Sequence, residues 1–517
     1  MGETLDSDNN APASEQRRGL LKQLALAGAG LAASGATAAA PVSRSSVRHW
    51  DRETDVLIIG SGAAGTSAAI DARRAGAEAL MLEREHIPGG SSSISGGVCY
   101  LGGGTPLQKA LGFDDTVEAM TTYMLAASAP YASEDKIRLY CESSLEHFDW
   151  LIANGVEYAQ KFSPEKEISI PDGSLYYSGS EKTWPYRNLA KPAPRGHVPP
   201  SQHLTGGREL MRALLASAER LGARLEVRAT GERLVVESDG SVAGAQVVVG
   251  GKTAFIRARR GVVLAAGGFI HNPEMVKLYA PELARCQTPW GRAGDLGIGI
   301  RMGMGVGGAV LRMHHGFVIT PMYPPESILK GIAVNQRGQR FVPEDGYYGL
   351  VGHEIAYKQD GKAWMIVDQT QAYAWKDFRL PIAAQAPTIA GIETQLGMPE
   401  GALVQSVDYY NRHAAKGNDP LLHKAKDYLA PIKQAPFTAY DLSTDQAFTP
   451  VHTFGGLQTT LDAQVVDAWG EVIPGLYAAG RTSAGLPVAP YMGSGISIGD
   501  CTYFGRRAGR HAAGRKA

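Results

Sequence analysis

The sequence predicts an α/β protein with a parallel sheet, on three observations. The first is the stretch TDVLIIGSGAAGTSAAIDARRAGAEALMLE from Thr54 to Glu83. It contains a short β-branched run, a glycine turn, a helix of small residues closed by Gly76, and a second apolar run that stops at an acid. The second is Gly261-Val-Val-Leu-Ala-Ala-Gly267-Gly268, a continuous apolar run of the kind buried on both faces of a parallel sheet. The third is Gly475-Leu-Tyr-Ala-Ala-Gly480-Arg481, again a strand ending in glycine.

In chain order, the first unit has the spacing of a Rossmann-like dinucleotide site. Gly60 permits the turn, Gly62 lets backbone approach a pyrophosphate, and Gly65 lets helix and strand touch. Ala63 and Ala64 open the helix, whose unpaired N–H groups favour an anion. Glu83, followed by Arg84, stands where a carboxylate accepts hydrogen bonds from a ribose. The loop Pro88-Gly89-Gly90-Ser91-Ser92-Ser93, continuing to Gly96-Gly97, offers little side-chain bulk and many donors, as a pyrophosphate and a flavin ring require. Gly267 marks a second place where backbone meets nucleotide, and Asp295 opens a further small-residue helix. Gly480 and Arg481 follow the last strand. Then Tyr491-Met-Gly493-Ser494-Gly495-Ile-Ser497-Ile498 stands at the mouth of a final helix, whose positive end would stabilise negative charge on a reduced flavin. These features together predict FAD as the cofactor.

The chain has 517 residues, long enough for two or three domains. Its 51 basic and 51 acidic residues cancel, which gives no footprint for nucleic acid or an anionic membrane. The four cysteines lack CxxC or CxxCH spacing, so no metal site, iron–sulfur cluster or c-type haem is legible and the redox centre is expected to be organic. No stretch approaches a membrane span. Arg17-Arg18, the apolar run Leu24 to Leu31 and Ala36-Thr-Ala38 make residues 1–40 similar to a twin-arginine export signal, which predicts a periplasmic or exported protein. Residues from about Thr116 to Ala153 read as helices, and strands alternate around Arg224 to Val249. The loop from Tyr158 to Pro200 is aromatic, with Tyr176, Tyr177, Trp184 and Tyr186 either walling a ligand or packing beneath the loop.

The glycine stretches, with Glu83, GGSSS, AGDLGIGI and YMGSGIS, resemble the FAD-dependent family that includes fumarate reductase flavoproteins and 3-ketosteroid dehydrogenases. The resemblance runs from about Val47 onward. It implies a Rossmann-like FAD-binding domain interrupted by a smaller α+β catalytic domain, with bounds expected at 47–290, 291–435 and 436–517. Tyr100–Gln108, Pro192–Pro199 and Asp419–Lys424 look most like the 3-ketosteroid Δ4-dehydrogenases, although Ser494, three residues after Tyr491, has the spacing of the Δ1 enzymes.

Two positions bear on the substrate. Where the fumarate-reducing branch places arginines to clamp a dicarboxylate, this chain has Tyr347 or Tyr348, and Tyr491. A carboxylate clamp needs guanidinium forks, whereas a phenol offers one neutral donor or, ionised, one base. The resemblance therefore implies a small hydrophobic ketone, whose carbonyl is polarised by Tyr491 and the N–H of Gly495, and whose proton goes to Tyr347 or Tyr348. Ser494 and His452, the latter retained from the fumarate-reducing branch, complete the expected site. With no haem in the chain, a separate electron acceptor or donor is expected. An ene-reductase of an unsaturated carboxylate or enone is the alternative, and a flavin electron carrier a third reading.

Overall fold

The computed structural model describes residues 40–166, 174–201, 205–374 and 380–516. The expected export segment lies outside the described residues, apart from Ala40. The described residues from Ala40 onward cluster as one compact unit.

The β-branched run becomes strand Arg52–Ile59, in which Val56, Leu57 and Ile58 are completely buried. It pairs in parallel with Ala79–Glu83 on one side and with Lys252–Leu264 on the other, the register placing Ile59 opposite both Leu82 and Leu264. The sheet has nine strands. Beyond Lys252–Leu264 lie Val242–Val249, Ala229–Val236 and Val42–Ser43, and beyond Ala79–Glu83 lies Arg224–Val227. Lys252–Leu264 is long enough to serve two neighbours: its first half is antiparallel to Val242–Val249, and its last residues pair in parallel with Val472–Ala478. All three glycine-terminated strands seen in the sequence are therefore adjacent and end on the same side.

Helix Ala63–Arg74 covers this sheet and is covered in turn by the last helix, Ile496–Gly514. The two approach at backbone distance, since a Cβ at Gly505 would run into Ala64 and one at Gly509 into the carbonyl of Ala68. Gly65 does the same on the other face, beneath the carbonyl of Gly60.

A smaller four-stranded antiparallel sheet runs Ile332–Val334, Trp364–Val367, Phe437–Asp441, Ile382–Ala386, and packs on helices Ile389–Gln395 and Ala402–Ala414 around its own core. Arg292, Gly294 and Asp295, at the start of the expected inserted domain, line the cleft of the large sheet. Strand Phe437–Asp441, just past that domain's expected end at 435, belongs to the small sheet. Buried ions join the parts. Arg340 forks onto Asp419 (3.0 and 3.0 Å) and Glu344 (3.0 and 2.8 Å), Lys424 reaches Glu344 at 3.1 Å, and Arg195 grips Asp115 at 2.6 and 3.0 Å with both side chains fully buried. Among the described residues no helix is long and apolar enough to cross a membrane, and no cluster of potential metal ligands occurs.

The close approach of the first and last helices is testable. Alanine is the better helix former by about 1 kcal/mol, yet Gly509→Ala should lower stability by about 1–3 kcal/mol because its methyl meets a main-chain carbonyl that cannot rotate away. A thermal unfolding midpoint at or above that of the parent would refute this packing.

Candidate active site

The three glycine-ended strands and the start of helix Ala63–Arg74 surround a cleft. Gly60, Gly62, Ala63, Ala64, Glu83, Arg84, Gly90, Ser91, Ser92, Gly267, Asp295, Gly480 and Arg481 line it. Gly65, Gly97 and Ile498 do not. Gly65 lies where helix and strand touch, and Gly97 where the chain crosses the start of helix Gly206–Arg220, so both glycines allow backbone to pass backbone and do not face a ligand. Ile498 is buried in the last helix, while Ser497 lies in a closely packed wall with Gly480, Arg481 and Cys501, which also line the cleft.

The cleft fits a dinucleotide. A side chain at Gly62 would project between Ser92 Oγ and Gly89 O without touching protein at bonding distance, so the turn is an open cradle. Glu83 is held by Ser61, whose hydroxyl donates at 2.5 Å and whose N–H at 3.2 Å, and by the N–H of Glu85 at 2.9 Å. At the far wall Asp295 accepts from Ser91 Oγ at 2.7 Å and pairs with Arg481 at 2.6 Å. Arg84 and Arg481 each bury one Nη1 that finds no partner among the described residues. Buried guanidinium donors of this kind are costly unless a ligand accepts from them, and the oxygens of a pyrophosphate or flavin are suitable acceptors.

Beyond Arg481, the tyrosines predicted from sequence come together. Tyr347 and Tyr348 both hydrogen-bond Ser494 Oγ, at 2.8 and 2.6 Å. The Tyr491 hydroxyl donates to Ser497 Oγ at 2.9 Å and accepts the N–H of Ser497 at 2.7 Å, in the first turn of the last helix. Gly495 makes the entry to that helix with a φ of +103° and accepts the N–H of Tyr100 at 3.1 Å. Phe317 and Phe454 complete the cluster, 4.5 and 4.9 Å from the Tyr491 ring. His452 packs edge-on to these same two phenylalanines, and burial together with the charge of Arg481 pushes its pKa well below the usual range. It is a neutral wall of the site.

Burial also pushes all three phenols above their ordinary value. For Tyr348 the hydrogen bonds of Ser494 and Tyr347 oppose the shift, whereas for Tyr347 the neighbouring Tyr348 and Tyr491 add to it. For Tyr491 the opposing hydrogen bonds come from Ser497, including its main-chain N–H at the helix terminus. The site thus holds its phenols neutral.

Some participants escaped sequence reasoning. Ser61 occupies a spacer position of the glycine motif, Arg292 and Cys501 line the cleft from outside any motif, and Tyr176 couples electrostatically to Tyr348. Of the aromatic loop only Tyr176 reaches the site. Tyr177 packs on Phe113 and Phe162, Tyr186 on Tyr123, and Trp184 on His423.

The family described as an FAD binding domain matches residues 55–498. The chain belongs to that family. It is an FAD-dependent oxidoreductase, within the group that contains 3-ketosteroid dehydrogenases and fumarate reductases. Its sequence is similar to a 3-oxo-5-alpha-steroid 4-dehydrogenase of Comamonas testosteroni, 31% identical over 84% of this chain and 93% of that one. It is also similar to a vinyl phenol reductase of Lactiplantibacillus plantarum, 27% identical over 89% of this chain and 96% of that one. Its structure resembles that of 3-ketosteroid-delta4-(5alpha)-dehydrogenase from Rhodococcus jostii RHA1 in complex with 4-androstene-3,17-dione. That match has a TM-score of 0.86 at 42% identity and covers 92% of this chain and 100% of that one.

Glu83→Gln keeps the shape of the carboxylate and removes its charge. A charge-assisted hydrogen bond contributes about 1.5–3 kcal/mol, so FAD should bind roughly 10- to 100-fold more weakly in reconstitution titrations of the stripped protein. Unchanged affinity would mean that Glu83 serves only Ser61 and Glu85.

Proposed function

We propose that this oxidoreductase removes hydrogen across the C–C bond next to the ketone of a hydrophobic substrate, a 3-ketosteroid, with the Δ4 position favoured over Δ1. The observation that carries the reading is the convergence of Tyr347 and Tyr348 on one serine hydroxyl beside Tyr491, at positions that would hold arginines in a dicarboxylate reductase. The similarity to steroid 4-dehydrogenases supports the substrate class.

FAD bound in the cleft supplies the hydride acceptor for the carbon β to the carbonyl. Tyr491 is the donor to the ketone oxygen: its own oxygen accepts a helix N-terminal N–H, which polarises its O–H, and rotation away from Ser497 Oγ frees that hydrogen. Tyr348 takes the proton from the α carbon and shares it with Ser494 and Tyr347. The α C–H bond breaks to the phenolate oxygen and the β C–H bond breaks with its electron pair, leaving an enone. A separate electron acceptor must then remove two electrons from the protein. Because burial keeps the phenols neutral, they serve the reverse direction too, in which a phenol protonates the α carbon of an enone; the vinyl phenol reductase relative favours keeping this second reading.

Anaerobic mixing with a saturated 3-ketosteroid, a Δ4-3-ketosteroid, fumarate and urocanate separates the readings. The saturated ketone should bleach the flavin, and prereduced protein should not be reoxidised by fumarate. Tyr491→Phe should retain flavin and lose about 10²- to 10³-fold in turnover, the cost of one oxyanion donor. Tyr348→Phe should be severe and Tyr347→Phe mild. Since the oxidising direction needs a phenolate whose pKa lies above the reference of about 10, its rate should rise continuously from neutral to alkaline pH, while the reducing direction should be flat around neutral pH and fall only at alkaline pH. Ketosteroid oxidation by Tyr491→Phe near the parental rate would sink the assignment.

We also propose export by the twin-arginine route, on the sequence of residues 1–40. Replacing Arg17 and Arg18 together by lysine should leave the precursor in the cytoplasm in a fractionation experiment. An untouched protein found there with its first residues intact would refute it.

A further inference from the structure

Among the described residues, the two segments that carry the active-site tyrosines, around Tyr347 and around Tyr491, share no backbone hydrogen bond, yet their side chains must meet one substrate. A third segment runs between them. Ser178 and Ser494 exchange hydrogen bonds, from Ser494 N to Ser178 O at 2.8 Å and from Ser178 Oγ to Ser494 O at 2.9 Å, and Gly179 bridges Gly493. On the other side Ser180 Oγ accepts the N–H of Tyr347 at 3.0 Å, and Thr183 Oγ1 donates to Asp345 O at 3.0 Å.

At the centre of this segment sits a phenol that no step of the reaction uses. Tyr123, on helix Val117–Ser128 and 1% exposed, donates its hydroxyl to Met492 O at 2.5 Å and accepts the N–H of Ser180 at 2.8 Å. One oxygen therefore ties the residue next to Tyr491 to the residue that holds Tyr347. A side chain at Gly179 would strike both that oxygen and Met492 O, so the segment lies directly on the junction. The phenol is itself fixed from behind. Its ring stacks on Tyr100 at 6.2 Å and 22°, and the Arg195 guanidinium lies 5.7 Å from it. Tyr100 donates to Glu181 Oε1 at 3.0 Å, while Glu181 Oε2 accepts the N–H of Gly179 at 2.9 Å. Phenol, carboxylate and strap form one buried network.

We propose that residues 178–183 are a positioning strap and that Tyr123, with Ser180, is a positioning residue setting the separation of Tyr491 from the Tyr347/Tyr348 pair. The inference rests on the proposed function only in taking those tyrosines as the reacting groups. A misplacement of about 1 Å among reacting groups costs on the order of 100-fold in rate, and one buried phenol oxygen shared by two backbone segments is a device that limits such drift.

The test uses the FAD-loaded full chain. Tyr123→Phe keeps the ring and its stacking and deletes both hydrogen bonds; Ser180→Ala keeps those and deletes only the acceptor for Tyr347 N. Hydrogen–deuterium exchange of amides should quicken roughly tenfold in both 347–350 and 491–497 for Tyr123→Phe, and in 347–350 alone for Ser180→Ala. With whichever substrate the parent turns over, kcat should fall about 10- to 100-fold for Tyr123→Phe with KM within threefold, and the double variant should lose no more than the worse single one. Faster exchange in only one segment of Tyr123→Phe, or kcat within twofold of the parent, overturns the strap. Should Tyr123→Phe not fold, Ser180→Ala decides: faster exchange in 347–350 together with a fall in kcat supports the strap, and unchanged exchange there or kcat within twofold of the parent overturns it. A parent that ignores ketosteroids but turns over another member of the panel defeats the proposed function alone, because exchange and kcat on that other substrate still report on the strap.

Discussion

Everything in the site depends on the last helix lying against the first with no side chains between them. Gly505 and Gly509 face Ala64 and Ala68, so the two backbones meet almost directly. That contact brings together two segments more than 400 residues apart, Ala63–Arg74 and Ile496–Gly514. The turn at Gly60–Gly62 and the strand end at Gly480 then line one cleft, and the last helix begins beside it, with Ser497 next to Gly480 and Arg481. A larger residue in either glycine position would lift the last helix by a side-chain thickness and carry Ser497 and Tyr491 with it. The long intervening segment can be elaborated freely, because it is attached at a junction whose geometry the two helices have already determined.

The second constraint is desolvation. Phe317 and Phe454 pack against the tyrosines and exclude water, and burial is the largest influence on every phenol there. What distinguishes the phenols is short-range. Tyr491 receives a helix-terminal N–H, which suits it to donating its own hydrogen to an oxygen that is becoming negative. Tyr347 and Tyr348 share a serine hydroxyl, which both donates and accepts and so can pass a proton between them. His452, which titrates near neutrality in water, is removed from this chemistry by burial and by Arg481. A site of neutral groups has little hold on a dicarboxylate but can polarise a ketone, and it does so without favouring one direction of hydrogen transfer.

The parts of this arrangement that were legible in the sequence are those where one residue type is physically required. Gly60 and Gly495 need positive φ, and Glu83 ends its strand at the wall of the cleft. The tyrosines were found because they stand where another charge type was expected. Gly97 shows the limit: a glycine that lets two backbones cross looks the same in sequence as one that faces a ligand. Ser61 looks like a spacer, yet its hydroxyl orients the carboxylate of Glu83. Tyr176 could not be told from Tyr177 or Tyr186, since all three lie in one aromatic loop and only tertiary packing decides which reaches the site. Tyr123 carried no signal at all. Its partners are Ser180, 57 residues away, and Met492, 369 residues away, and no local pattern encodes such contacts.

The buried ions around the site raise a question that stability alone does not answer. Replacing a buried ion pair by apolar residues of similar shape is often neutral or stabilising, so the fully buried Arg195–Asp115 pair and the cluster of Arg340, Glu344, Asp419 and Lys424 need another reason. Apolar packing is tolerant of small slips, whereas a guanidinium fork engaging two carboxylates has one satisfactory geometry. Arg340 binds the turn that ends in Tyr347 and Tyr348 to the loop beginning at Asp419, and a slip of that turn would leave a charge unpaired in the interior. Arg195 does the same beneath Tyr123 and the strap. In both places a rigid polar frame surrounds a neutral, apolar site. The charges hold the phenols in register from outside, where their fields are matched by partners and do not draw the tyrosines into ionising.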